Sequence, residues 1–182
     1  SAAASLVDFA LYFFHNAQEL AARGSGIYFC IPKVESAAEA RWWNRLFLRA
    51  QELLGLEPGT LRATVLIETL SAAIEMEEIV WELRDHCAGL HAGRWDYIFS
   101  MTKAFRHDSS FLLPDRKEIT MELPFLTSYA QRIIDVSHRR GIHALGGMAT
   151  AFPDREDPEL TAVAQQGVRE DKEREAAQGF DG

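Results

Sequence analysis

Cysteine is scarce in this 182-residue chain, with only Cys30 and Cys87 present, and neither sits in a CxxC or His/Cys spacing. That excludes a disulfide-stapled scaffold and a thiolate zinc site, and predicts two buried, reduced thiols. Long apolar runs are missing too. None approaches the roughly 20 residues needed to span a bilayer, and the opening stretch SAAASLVDFALYF lacks the basic segment of a signal peptide. The expectation is a protein without a membrane partner, in a cytoplasmic or similarly reducing compartment. Positive charge is also short: 19 Lys and Arg against 27 Asp and Glu leave a net charge of -8. A general nucleic-acid or anionic-membrane surface needs clustered cations, so no nucleic-acid partner is expected. GxSxG, HExxH, and complete GxGxxG or Walker patterns are absent. Gly146-Gly147 therefore reads only as a tight turn, and the six histidines as surface or packing groups.

What is present suits a sizeable core, since 47% of the residues are hydrophobic and 25% charged. Apolar residues recur at helical spacing from Asp8 to Arg23, with Gly24-Ser25-Gly26 as a stop. Ile27 to Ile31 is a short continuous apolar run closed by Pro32, as in a strand buried on both faces. Ser36 to Leu54 reads as a helix, with Ser36 and Glu39 spaced as a capping box. The alternation continues with strand Leu61 to Ile67, helix Ser71 to His86 with Ile74, Ile79 and Leu83 inward, and Tyr97-Ile98-Phe99 as the core of a third strand. An irregular connection carrying the Pro114-Asp115-Arg116 turn leads to helix Phe125 to Arg140 and a short strand, Ile142 to Leu145. The composition then shifts to Glu, Asp, Lys, Arg, Gln and Ala, predicting an exposed helix from Asp157 to Gln178.

Strands alternating with helices of about 15 residues predict an α/β fold of about four parallel βα units. A complete eightfold barrel usually takes about 250 residues. Periodicity alone leaves a small doubly wound sheet and part of a barrel equally open.

In either architecture chemistry collects at the carboxyl ends of the strands. The residues there are Lys33 and Glu35, then Glu68, then Asp96 and Ser100, and then Gly146-Gly147. Glu68 follows Thr64-Val65-Leu66-Ile67, and a carboxylate among such neighbours is costly unless it meets a cation or hydrogen-bond donors. Asp96, between Trp95 and Tyr97, poses the same problem. Two carboxylates at one rim can bind Mg2+, which takes few protein ligands and keeps positions for water and an oxygen-rich substrate. The competing reading makes Glu68 a helix cap and pairs Asp96 with Arg94 or Arg62.

The stretch from Arg84 to Phe99, RDHCAGLHAGRWDYIF, resembles the signature segment of malate synthases. Tyr28 to Glu35 (YFCIPKVE), Arg62 to Leu70 (RATVLIETL), Glu75 to Glu78, Leu113 to Arg116, Gly146 to Ala149 and Asp171-Lys172 extend the resemblance through nearly the whole chain. His91 departs from the usual Asn, and Phe180 from the usual His of a Gly-His-Asp-Gly string. The resemblance implies part of a (β/α)8 TIM barrel over residues 1–153, with residues 154–182 a charged helical segment leading toward a C-terminal region outside the chain. It implies magnesium-dependent condensation of acetyl-CoA with glyoxylate, followed by hydrolysis to malate and CoA. Glu68 and Asp96 match the family's two magnesium carboxylates, 28 residues apart (96 minus 68), one strand–helix–strand step. The backbone N–H groups of Gly93, Arg94 and Trp95 are expected to face the glyoxylate carboxylate. The family's catalytic arginine and aspartate base are expected outside this chain, so no catalytic residue is assigned within it, and the isolated chain is expected to be inactive. A citrate-lyase-β-like or malyl-CoA lyase of the same superfamily is an alternative; a catalytically silent barrel fragment that docks partners through its open faces is another. The sequence leaves the oligomeric state open.

Overall fold

The structure is a computed structural model and describes residues 3–148 and 152–182. Four strands, β1 (Ile27–Ile31), β2 (Leu61–Ile67), β3 (Cys87–Ala92) and β4 (His143–Leu145), form one sheet in the order β1-β2-β3-β4. All pairings are parallel. The order never reverses, so right-handed crossovers put every connecting helix on the same face of the sheet. That distinguishes a singly wound barrel arc from a doubly wound sheet. Alternation along β2 follows from it: Leu61, Ala63, Val65 and Ile67 are fully buried beneath helices, while Arg62, Thr64 and Leu66 face the concave side.

The concave side explains one correction. β1 is not buried on both faces, because Tyr28 and Cys30 point away from the helices and are exposed. The prediction of two buried thiols therefore holds for Cys87 alone, whose burial raises its pKa to about 11 and keeps it inert.

Helix α1 (Ala4–Ala22) lays Phe9, Phe13 and Ala17 against β1. There Phe9, Phe29, Trp43 and Phe47 form an aromatic cluster with centroid separations of 4.9–6.4 Å. Helix α2 (Ala37–Leu53) starts as the sequence predicts, with Ser36 Oγ accepting from the Glu39 N–H at 3.3 Å. Glu39 does not close the box on Ser36; it accepts from the Glu35 N–H at 2.8 Å.

The helix expected from Ser71 to His86 is broken into α3 (Leu70–Ile74) and α4 (Met76–Glu82). Glu75 at the break accepts from the Ala37 N–H at the start of α2, 2.8 Å away. Arg132 donates to the carbonyls of Ala73 and Ile74 at 2.9 and 3.2 Å, filling acceptors that the broken helix leaves open. The break turns Ile74 outward, to 66% exposure, whereas Ile79 and Leu83 are buried as predicted.

The larger correction concerns the third strand. It is β3, Cys87–Ala92, and the predicted strand core Tyr97-Ile98-Phe99 belongs to helix α5 (Arg94–Ala104). Helix α6 (Pro124–Arg140) packs Leu126, Tyr129, Ala130, Ile133 and Ile134 inward and ends at Gly141, whose φ of 69° closes the helix without a Cβ penalty. Helix α7 (Pro158–Gln178) is capped by Asp157, which accepts from Glu159 and Leu160, and it is largely exposed. Its last turn is not: Glu175 is buried, as is Phe180 just past the helix. Beyond it, Asp181 N–H donates to the Ala144 carbonyl at 2.8 Å and Gly146 N–H donates to the Gly182 carbonyl at 2.7 Å. Asp181-Gly182 thus lies along the outer edge of β4 as a parallel strand would.

Candidate functional site

The residues singled out in the sequence converge at the carboxyl end of the sheet. Glu68 leaves β2 directly and is 4% exposed. Asp96 reaches the same rim from the first turn of α5 rather than from a strand. Between them stands Lys33, one residue past the Pro32 that closes β1. Its Nζ lies 2.6 Å from Asp96 Oδ2 and 3.4 Å from Glu68 Oε2. Its backbone N–H also donates to Glu68 Oε1 at 2.6 Å. Lys33 has a φ of 57°, the left-handed region that side chains disfavour. The backbone hydrogen bond to Glu68 offsets that strain.

The electrostatics agree with the geometry. The hydrogen bond from Lys33 holds the Asp96 carboxyl below the usual carboxylate range, and the same bond raises the Lys33 ammonium. Neither competing reading of the carboxylates matches these contacts. Thr69, not Glu68, caps α3, accepting from the Ala72 N–H at 3.1 Å while donating to the Val34 carbonyl at 2.8 Å. Asp96 pairs with Lys33, while Arg94 lies 3.7 Å from Asp171 and Arg62 donates to the Asp85 carbonyl at 3.0 Å.

Gly93 caps α5 and sits against Glu68. A Cβ on Gly93 would fall 2.5 Å from the Glu68 Cβ, so only glycine permits this approach. Its N–H donates to Tyr129 Oη at 2.9 Å. Trp95 lies between two guanidiniums, with those of Arg94 and Arg116 at 5.2 and 5.1 Å from its ring. Ser100, also at this rim, accepts from the Leu70 N–H at 3.0 Å and ties α5 to the start of α3. Glu35 lies outside the cluster. The loop after β4 is held by α7: Glu175 accepts from Gly147 N–H at 3.0 Å, and Lys172 donates to the Gly147 carbonyl at 2.6 Å. Ala149, in the last quoted stretch of that loop, lies outside the described residues.

Glu68 and Asp96 together hold one cation, the Lys33 ammonium. Among the described residues no third His, Cys, Asp or Glu joins them. That donor set suits a hard divalent ion that keeps several waters, and it does not suit zinc.

The family profile described as "Malate synthase, TIM barrel domain" matches residues 1–182. The chain belongs to the malate synthase TIM-barrel family. Malate synthase from Streptomyces clavuligerus is 58% identical over 179 residues, covering 98% of this chain and 33% of that protein. Malate synthase from Myxococcus xanthus is 53% identical over 178 residues, covering 98% and 33%. Malate synthase from Dictyostelium discoideum is 50% identical over 182 residues, covering 100% and 34%. The chain thus spans about one third of the length of these malate synthases. Among solved structures, Haloferax volcanii malate synthase, native at 3 mM glyoxylate, superposes with a TM-score of 0.60 at 24% identity, over 85% of this chain and 39% of that one. RipC from Yersinia pestis gives 0.56 at 21% identity, over 84% and 54%. Both likenesses speak to the fold, and they agree with a four-stranded arc of a malate synthase barrel.

Sequence reasoning missed Tyr129 at this malate synthase rim, and the role though not the position of Lys33. Lys33 was visible as a strand-end residue, but its role between the carboxylates depends on a backbone conformation that residue type does not signal. Tyr129 sits on the apolar stripe of α6 and reads there as packing.

Proposed function

We propose that the full-length protein condenses acetyl-CoA with glyoxylate and hydrolyses the product to malate and CoA, with Mg2+ held by Glu68 and Asp96. The observation that carries this reading is the meeting of two carboxylates at the carboxyl end of a barrel sheet, in a chain 58% identical to a malate synthase. The Haloferax volcanii enzyme is described as a ternary complex with pyruvate and acetyl-CoA, which supports an acyl-CoA and a 2-oxo acid as the substrate classes.

The chain's own residues then have separate tasks. Glu68 and Asp96 would supply two oxygen ligands, in the place between them that the exposed Lys33 ammonium fills here. Magnesium held there would supply Lewis acidity toward the glyoxylate carbonyl and would offset negative charge on its oxygen. The start of α5, at Gly93, Arg94 and Trp95, presents the positive end of the helix to the glyoxylate carboxylate. Because the Gly93 N–H already donates to Tyr129, the N–H groups of Arg94 and Trp95 are the ones assigned to that contact, and Gly93 serves by letting α5 approach Glu68. No helix of the described residues is long and apolar enough to cross a membrane, and the exposed free thiol of Cys30 suits a reducing compartment, which we take to be the cytoplasm.

CoA release from acetyl-CoA and glyoxylate by the full-length protein tests the reaction, with malate rather than malyl-CoA as the expected product. Calorimetric titration with Mn2+ tests the site: Glu68→Gln and Asp96→Asn are expected to weaken binding by tenfold or more. Accumulation of malyl-CoA would favour a lyase, and Mn2+ binding unchanged in both variants would remove the metal assignment.

A further inference from the structure

We infer that Tyr129 is a positioning residue that sets the separation of the two carboxylates, an inference that rests on the metal site proposed above. Tyr129 comes from α6, is 3% exposed and approaches the rim from beneath. Its hydroxyl donates to the carbonyl of Ile67 and accepts the N–H of Gly93. Ile67 is the residue before Glu68, and Gly93 opens the helix that carries Asp96 three residues later. One buried hydroxyl therefore bridges the backbones of both ligand-bearing elements. A phenol O–H has one proton and accepts through its lone pairs, so both bonds are made at once without conflict. Tyr129 is itself held by stacking on Tyr97, the residue after Asp96, at 4.0 Å between centroids and 11° between planes.

The coupling to the carboxylates is short-ranged. Gly93 and Glu68 are in contact closely enough to exclude a Cβ, so a tilt of α5 that follows loss of the Tyr129 bond moves Glu68 as well as Asp96. Burial keeps the hydroxyl protonated and therefore able to donate to Ile67. A tyrosine serving only as packing would need its ring; this one uses both bonding capacities of its oxygen on the elements that bear the ligands.

The test is Mn2+ affinity of the full-length protein by calorimetry, well below its melting temperature, for wild type, Tyr129→Phe and Glu68→Gln. Tyr129→Phe keeps the ring and its stack and removes only the bridge. Outer groups that orient metal ligands change affinity by roughly 10- to 100-fold, and a loss of about tenfold or more is expected here. A role in packing alone would lower the melting temperature and leave the affinity of the folded protein within twofold of wild type, which would overturn the inference. If Tyr129→Phe does not fold, Tyr97→Leu takes its place, since it keeps the hydroxyl but removes the stack that orients it. A severalfold loss of Mn2+ affinity supports the role and an unchanged affinity overturns it. Affinity lost in Glu68→Gln but retained in the tyrosine variants defeats this inference alone, whereas no Mn2+ binding by wild type defeats the metal site and the inference together.

Discussion

Gly93 is the residue on which the site's compactness rests. A Cβ there would meet the Glu68 Cβ at 2.5 Å and Glu68 Oε2 at 3.1 Å. The first contact involves an atom fixed to the backbone, so no rotamer change relieves it, and either β2 or α5 must shift. Gly93→Ala is therefore expected to cost about 1–3 kcal/mol of stability, the usual range for overpacking, and to weaken Mn2+ binding together with CoA release. Gly167→Ala is the control, because a Cβ there meets nothing within 4 Å on α7. It is expected to be neutral or stabilising by roughly 0.5–1 kcal/mol, through helix propensity. Thermal melts of both variants, with Mn2+ titrations, check the contrast; equal behaviour of the two would show that Gly93 is not a close-approach position.

At the scale of elements, β2 and α2 are locked at the amino end of the sheet by a buried polar chain. Gln51 accepts from Leu61 N–H at 3.0 Å and donates to the Phe47 carbonyl at 3.0 Å, and its Nε2 lies 2.8 Å from His86 Nε2. Asn44 Oδ1 stands 2.7 Å from His86 Nδ1, so neutral His86 donates through Nδ1 and accepts through Nε2. Protonation would set one donor against another, and desolvation already lowers the His86 pKa below its usual 6.5. The folded state thus resists a proton that the unfolded chain accepts. The stability held by this arrangement is complete above pH 6.5 and is lost as pH falls through the lower folded value. Urea unfolding between pH 8 and pH 5 is expected to show this decline in wild type and a shallower one in His86→Gln. The same region marks how far the elements were legible. β1, β2, α2 and α6 were readable because their apolar periods are uninterrupted and Pro or Gly punctuates them, with Pro32 after β1, Gly55 after α2, Pro58-Gly59 before β2 and Gly141 after α6. β3 was missed: Cys87-Ala88-Gly89-Leu90-His91-Ala92 carries few of the β-branched and aromatic residues that mark strands, and its order comes from pairing with β2 and β4. Tyr97-Ile98-Phe99, strand-like by composition, was claimed instead by the helix that Gly93 opens. The two carboxylates survived the error because Glu68 leaves the end of β2 and Asp96 follows the end of β3 by four residues, whichever element holds it.

The strict β1-β2-β3-β4 order decides, for the whole molecule, what periodicity could not, a barrel arc instead of a doubly wound sheet. An arc must protect its edges, and the β4 edge is covered by the chain's own Asp181-Gly182. Asp181 does this twice, donating its N–H to the Ala144 carbonyl and accepting the Ala144 N–H on Oδ2, each at 2.8 Å. His138 Nε2 stands 3.1 Å from the same carboxylate oxygen and draws α6 into the contact. The Ala144 N–H, with His138 adding to it, holds the Asp181 carboxyl below its usual 3.8, so the stability it contributes is present above that pH and lost as acid protonates it in the folded state. Asp181→Ala leaves the Ala144 N–H without its acceptor at a covered sheet edge and is expected to cost about 1–3 kcal/mol. Asp181→Asn keeps a carbonyl oxygen for that N–H and should cost less, roughly 1 kcal/mol or below. Urea midpoints of the two variants at pH 7 read the difference directly. Midpoints for Asp181→Ala equal to wild type would mean that the β4 edge is held by the backbone bonds of Asp181 and Gly182 alone.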